Sequence, residues 1–439
     1  MLICLLGGCA AAENEEETVN IPWPEELQVT IAWEEWTAED GRVCDVAVPV
    51  TCREDVNAQL RSTQEELWAE TLAHAEAEDD VEMMATYRIS GESWAGFLLT
   101  GRVIREIDIP RASDQDQTMY LCYRVFSYDM KTGAALTLAD VFAADSSAWE
   151  QAAETIETAL TAYYAEEAHD AEFIRAACEQ QHLSAMPFMP GAGRLVIAFP
   201  LWQVIENRYQ LVNVSLYYPD YRPMMTEAAL AQTDNSHRPI VAVTYDDGPS
   251  LFYTPKIRRH LATYGASATF FVLARHMVGL ADGVRSALDY MHDVGSHTYE
   301  HKYEFSRTIT QLREDRVLCQ DLHRELLGIA PTLFRAPGGH CEKYVSAEVG
   351  WPIILWSYSA GDTGNNTAPQ LARRIIEGSE NGDILLMHDI KEKTAVGSET
   401  FLREMTQRGF MFATVEELLT LHGVEILPNK VYHSAFEHE

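Results

Sequence analysis

Five short segments hold the side chains that could do chemistry. Thr244-Tyr245-Asp246-Asp247-Gly248-Pro249 sets two carboxylates side by side directly after the apolar run Val241–Val243. At a strand end neighbouring side chains leave in opposite directions, so two successive carboxylates can take different jobs, one on a metal and one on a proton. His297-Thr298-Tyr299-Glu300-His301 spaces two imidazoles four residues apart, which on a helical turn puts both on one face. Two imidazoles and one carboxylate form a three-ligand set with a position left open for water, as hydrolytic metal sites require. Phe334-Arg335-Ala336-Pro337-Gly338-Gly339 places a permanent cation beside backbone amides that can approach an oxyanion closely. Ile384-Leu385-Leu386-Met387-His388-Asp389 ends a buried run on an imidazole, where its pKa can be matched to acid work. Trp356-Ser357-Tyr358-Ser359-Ala360-Gly361-Asp362 supplies a further carboxylate.

For these segments to meet, the chain from Ile240 must bring them to one face. Short apolar runs at 240–245, 268–273, 332–334, 353–356, 383–387 and 410–413 read as strands. Helical patterns fit 254–264, 283–293, 310–327, 367–377, 399–408 and 415–421, the third stopping at Gly328. Strands alternating with helices over this length imply a parallel sheet, closed most economically into a barrel of seven or eight strands. The fold class expected is therefore α/β, a distorted (β/α)7-8 barrel, with the active face at the strand C-termini.

Taken together, the motifs resemble the polysaccharide deacetylases, the chitooligosaccharide deacetylase homology domain also known as carbohydrate esterase family four. The resemblance covers roughly 238–422, with the motifs in the family's order and with Thr254-Pro255-Lys256-Ile257 and Ala268-Thr269-Phe270-Phe271-Val272 matching between them. It implies that Asp246 is the general base and that Asp247, His297 and His301 bind a divalent metal, most often zinc. Arg335 would orient the base, Leu386 would line the acetyl pocket, and His388 would be the general acid. A backbone amide near Gly338 would hold the oxyanion, and Asp362 would stand at the pocket wall among the substrate contacts. No acyl-enzyme is implied, in keeping with the lack of a Gly-x-Ser-x-Gly elbow. Three departures stand out. Gly338 replaces a tyrosine that lines the substrate, Ser359 and Thr363 replace an aspartate and a tryptophan around Asp362, and the approach to His297 is about four residues shorter than usual.

Ahead of this region, 21–235 mixes strand-like runs such as Tyr120–Tyr128 and Arg194–Phe199 with helical stretches at 54–77 and 146–180, an α+β arrangement. Its phrase Tyr128–Phe142 is similar to a domain that precedes the catalytic unit in some bacterial wall deacetylases and that occurs in anti-sigma factors sensing lysozyme. The polar stretch 231–239 ends in proline and reads as a linker, so the barrel domain is expected to run from 236 to 439. Residues 1–240 carry 41 acidic and 14 basic side chains, and the whole chain has a formal net charge of -34. A phosphate polymer needs a basic face, so nucleic acid is excluded as a partner.

The start, Met1–Cys9, is an apolar run closing on Leu6-Gly7-Gly8-Cys9 and followed by an acidic tether to residue 20. It resembles a bacterial lipoprotein signal, which implies a lipid on Cys9 and an extracytoplasmic, membrane-anchored protein. The six other cysteines are compatible with disulfides or with free thiols. The reading as a whole is a metal-dependent N-deacetylase of a cell-wall glycan, most of all peptidoglycan. Against it stand a surface glycan-binding or sensing protein with impaired turnover, and a deacetylase of chitin oligomers or acetylxylan.

Overall fold

The computed structural model describes residues 27–109, 112–163, 171–203 and 209–436. The expected leader, Cys9 and the tether lie outside these residues. Among the described residues no helix is long and apolar enough to cross a membrane.

The half from Ile240 onward is built on β1 (Ile240–Asp246), whose seven residues are all buried. A strand of a parallel sheet is covered on both faces, which is why Ile240-Val241-Ala242-Val243 is apolar without alternation. Around it come α1 (Thr254–Thr263), β2 (Thr269–Val272), α2 (Ala274–Asp289), β3 (Asp293–Ser296), α3 (Ile309–Leu327), β4 (Ile353–Ile354), β5 (Tyr358–Ser359), α4 (Ala368–Gly378), β6 (Ile384–His388), α5 (Glu392–Gln407), β7 (Met411–Ala413), α6 (Val415–Leu421) and β8 (Val431–Tyr432). The sheet order is β3-β2-β1-β6-β5, with β7 also paired to β1 and every pairing parallel. Phe334 bridges Ser296 to Ile353, and the segment 353–359 carries the ring across to β6, so the sheet closes as a distorted barrel.

Along the strands the side chains alternate. Val241, Val243 and Tyr245 pack outward against Ile257, Leu261, Leu371, Ile375 and Phe401 of the helices. Ile240, Ala242, Phe271, Ile354 and Ile384 fill the barrel interior. Continuing the inward series up β1 and β6 brings Thr244 and Asp246 opposite Leu386 and His388, which are register partners. Helix ends are set by local chemistry: α3, α4 and α6 each open with a capping box, and α3 stops at left-handed Gly328.

Several expected boundaries move. α2 begins at Ala274, nine residues before the expected start, and is kinked at Leu280. α5 begins at Glu392 and includes Gly397, whose missing side chain lets the helix lie against Ala368. The short approach to His297 leaves β3 with four residues, all paired with β2.

The chain before the barrel folds around two further cores. The first belongs to a six-stranded sheet (Val29–Thr37, Val43–Thr51, Asp80–Ser90, Trp94–Ile109, Ala112–Asp129, Ala134–Ala135), crossed by the helix Glu54–His74. That helix is the crossover that lets the second and third strands run parallel. The second has a three-stranded antiparallel sheet (Met189–Pro190, Arg194–Pro200, Leu211–Tyr217) under the helix Ala148–Tyr163. Cys44, Cys122, Cys178, Cys319 and Cys341 carry free thiols, so the disulfide alternative does not apply to these five.

Candidate active site

Asp246 ends β1 with its side chain inside the barrel mouth, and the backbone then turns sharply. Asp247 takes a left-handed φ of 73°, a conformation that costs an L-residue free energy and persists where surrounding contacts enforce it. The turn brings Asp247 Oδ1 to 3.6 Å from His297 Nε2 and 3.5 Å from His301 Nε2. The two carboxylates therefore converge on one spot instead of leaving in opposite directions, because the turn and not the strand pleat aims the second one.

The histidines also differ from expectation in their setting. They do not share a helical face: residues 297–301 form a loop after β3, and Thr298 and His301 both have positive φ, 71° and 59°. The loop still sets the imidazole rings 5.1 Å apart. One ligand atom each from Asp247, His297 and His301 lies within 4.8 Å of the others. His297 Nδ1 is 2.8 Å from the Arg335 carbonyl, to which it donates in the neutral tautomer, leaving the Nε2 lone pair facing the cluster. Burial pushes the His297 pKa down against the pull of Asp246 and Asp247, which favours the neutral ring that a ligand must be. Asp247 Oδ1 is buried with no hydrogen-bond donor. A buried acceptor without a partner is costly, and a divalent cation among these three groups would satisfy it. The donor set, two nitrogens and one oxygen, suits zinc.

Arg335 is fully buried. Its Nη1 donates to Asp246 Oδ1 at 2.8 Å and to Thr244 Oγ1, while Nε and Nη2 donate to the carbonyls of Ile354 and Leu355. A planar fork held at four points cannot swing, so it fixes Asp246 and leaves Oδ2 directed at the cluster, 3.7 Å from His297 Nε2. Leu386 lies two residues below His388 on the inward face of β6 and is nearly buried, forming part of the floor. Gly338, with φ 65°, is the exposed residue of the turn Pro337–Gly339, in which Pro337 is buried.

Asp362 needs a correction. Expected among the substrate contacts, it is only 1 % exposed. Its Oδ1 is 2.9 Å from His388 Nδ1, and its Oδ2 accepts from the His388 amide at 2.7 Å and from Thr394 Oγ1 at 2.8 Å. It is a positioning residue for His388. Burial alone would lower the His388 pKa, but the hydrogen bond and charge of Asp362, with Asp246 and Asp247 adding to them, outweigh it and raise the pKa. Asp362 is held down in turn: burial opposes this, and the His388 bond prevails. The protonated imidazole is thus favoured more than in a free histidine, and its Nε2 lies 4.0 Å from Asp247 Oδ2.

Sequence reasoning missed three supports. Asp389, next to His388, is buried beneath Gly248, accepts from Thr254 Oγ1, and has its pKa raised to about 7 by burial and by the neighbouring Asp247 and Asp246. His276 Nδ1 lies 2.9 Å from the Asp247 carbonyl and braces the turn. Tyr303 stands edge-on to His301, ring centroids 5.5 Å apart. Only Asp389 had a visible signal, a second acid beside the strand-end histidine; the other two depend on loop paths that no periodicity reveals.

A family model described as polysaccharide deacetylase matches residues 233–350. A peptidoglycan-N-acetylglucosamine deacetylase of Listeria monocytogenes is 33% identical over 192 residues, 44% of this chain and 41% of that one. A peptidoglycan-N-acetylglucosamine deacetylase of Bacillus cereus is 32% identical over 188 residues, 41% of this chain and 88% of that one. Among solved structures, a T48 deacetylase with substrate aligns with a TM-score of 0.43 at 28% identity, covering 45% of this chain and 98% of that one. The chain thus spans about two fifths of the length of the Listeria relative it matches.

Proposed function

Because the chain belongs to the polysaccharide deacetylase family, we propose that it hydrolyses N-acetyl groups of a cell-wall glycan, peptidoglycan above others, releasing acetate and a free sugar amine. The observation that carries this reading is the convergence of Asp246, Asp247, His297, His301 and the Asp362-held His388 on one barrel mouth. The relatives named for peptidoglycan support the polymer.

A divalent cation, zinc in this proposal, held by Asp247, His297 and His301, would polarise the acetamide carbonyl and lower the pKa of water. Asp246, fixed by Arg335, takes the proton of the attacking water through its free Oδ2. The exposed Gly338 would offer its backbone N–H to the oxygen that gains charge at the tetrahedral carbon. His388, protonated on both nitrogens, gives its Nε2 proton to the departing sugar nitrogen while Nδ1–H stays on Asp362. Leu386 keeps apolar surface where the acetyl methyl would lie.

The proposal extends to location. A lipid on Cys9 would hold the protein outside the cytoplasmic membrane, next to the wall, with the catalytic unit taken from 236 onward. The run Met1–Cys9 supports this, and labelled palmitate incorporated by the full chain but not by Cys9→Ala is the expected outcome.

For the activity, purified protein with zinc is incubated with N-acetylated wall, chitin and xylan oligomers and the acetate is measured. Release above that of His301→Ala, abolished by a chelator, is expected. No acetate from any of these substrates would overturn the reading.

A further inference from the structure

The segment after His301 exposes two aromatic rings, Tyr303 beside that imidazole and Phe305 beyond it, and the barrel core uses neither. Tyr303 is 39% and Phe305 65% exposed. The reason both point outward lies in Glu304 between them. Its carboxylate is buried and accepts from the Lys343 amide at 2.7 Å, while Lys343 Nζ donates back to the Glu304 carbonyl. With Glu304 pinned inward in a short 3-10 turn, its neighbours on both sides are driven to the surface.

The two rings are nearly parallel, 9° apart with centroids 5.2 Å from each other, and His340 stands edge-on to both. Together they continue, ring by ring, from the imidazole of His301. Gly338 is what makes room for them. A Cβ at that position would meet Tyr303 Cε1 at 2.6 Å, so any side chain there would collide with the ring. The missing tyrosine at 338 and the presence of Tyr303 are therefore one feature: aromatic surface at this rim comes from the loop after His301.

We propose that Phe305, backed by Tyr303, is a sugar-stacking wall that fixes the pyranose next to the one losing its acetyl group. This rests on the deacetylase reading. Exposed apolar surface beside a polar site marks a binding position. The occupant is set by continuity with the cluster: the wall begins one ring away from a cluster histidine, within reach of the sugar next to one whose acetamide sits at the cluster. A pyranose presents a face of C–H groups that packs on an aromatic ring, with hydroxyls at its edge directed to His340 and solvent. A protein helix would need a far larger apolar area than two rings to be held.

The test uses the full chain, Phe305→Ala and Phe305→Trp. The ligands are glycan tetramers, one of N-acetylglucosamine alone and one alternating with N-acetylmuramic acid. Calorimetry gives Kd and acetate release gives KM and kcat. Loss of one stacking face is expected to raise Kd and KM for a tetramer about tenfold with a smaller change in kcat, and to raise KM for the single sugar less. Phe305→Trp restores tetramer affinity. If Phe305→Ala binds both tetramers as tightly as the parent, or if the parent binds neither, the wall is refuted. If the parent binds a tetramer without releasing acetate while Phe305→Ala binds it more weakly, the wall stands and the deacetylase reading falls.

Discussion

At the level of single residues, the proposed proton donor is governed by one buried carboxylate. His388 loses basicity through burial and regains more than that from Asp362, so it stays protonated to a higher pH than a free imidazole. A general acid works only in its protonated form, and the alkaline limb of the kcat profile reports its pKa in the complex. Asp362→Asn keeps the shape and removes the charge, so the His388 pKa must fall and the alkaline limb must move to lower pH. A purely structural role for Asp362 would lower kcat at every pH and leave the limb in place; stopped-time acetate assays across pH distinguish the two. His388→Ala, which deletes the donor itself, is expected to reduce kcat by about 10²–10⁴-fold, with the circular dichroism spectrum retained. The five residues of highest chemical content, Asp246, Asp247, His297, His301 and His388, were all visible in the sequence, because their types and adjacency are local. The job of Asp362 was not, because its partner is 26 residues away and its burial is a property of the closed barrel.

Among the secondary-structure elements, legibility follows length. β1 and β6 announce themselves as Val/Ile/Leu runs, and α3 by the Thr308 and Gln311 box at one end and Gly328 at the other. β4, β5 and β8 have two residues each, too few for any period to register. α2 was misplaced because Gly279 and Gly283 interrupt its apolar stripe near the kink at Leu280. The paired histidines show the opposite failure: a spacing of four suggests a helix, yet left-handed Thr298 and His301 bring the rings together without one. The capping box itself makes a prediction. Thr308 Oγ1 accepts from the Gln311 amide at 3.2 Å, and Gln311 Oε1 accepts from the Thr308 amide at 2.9 Å. Thr308 is exposed, so Thr308→Ala removes the cap without opening the core and should lower stability by about 1 kcal/mol in urea unfolding. Thr308→Ser, which can cap equally, should be close to neutral.

For the molecule as a whole, the question is whether the region before the barrel is a loosely tethered passenger. Its contacts say otherwise: Met84 and Trp33 pack with Ala262 and Tyr290, Leu98 and Val196 with Met291, and polar contacts join them. Arg88 Nε donates to Ser267 Oγ at 3.0 Å, the Gly193 amide to Glu417 Oε1 at 2.8 Å, and the Leu211 amide to Asp289 Oδ1 at 2.7 Å. At the centre Arg102, from the six-stranded sheet, forms an ion pair with Asp289 at the end of α2, with side chains 2% and 0% exposed. An acid at a helix C-terminus is unfavourable with respect to the helix dipole and doubly so when buried, so Asp289 is tolerated there because the N-terminal region supplies its counter-charge. Arg102→Met strands that carboxylate and should cost about 3–5 kcal/mol. The loss belongs to the joint and not to either core, so calorimetry should show the N-terminal region and the barrel melting in separate transitions in place of a shared one. Arg102→Met combined with Asp289→Leu removes both charges and should recover most of the stability, since an apolar pair of similar volume can replace a buried ion pair. If the double variant is no more stable than the single one, the ion pair is not what joins the two halves. The Leu211 amide and the apolar contacts of Met84, Trp33 and Met291 would then have to carry the connection.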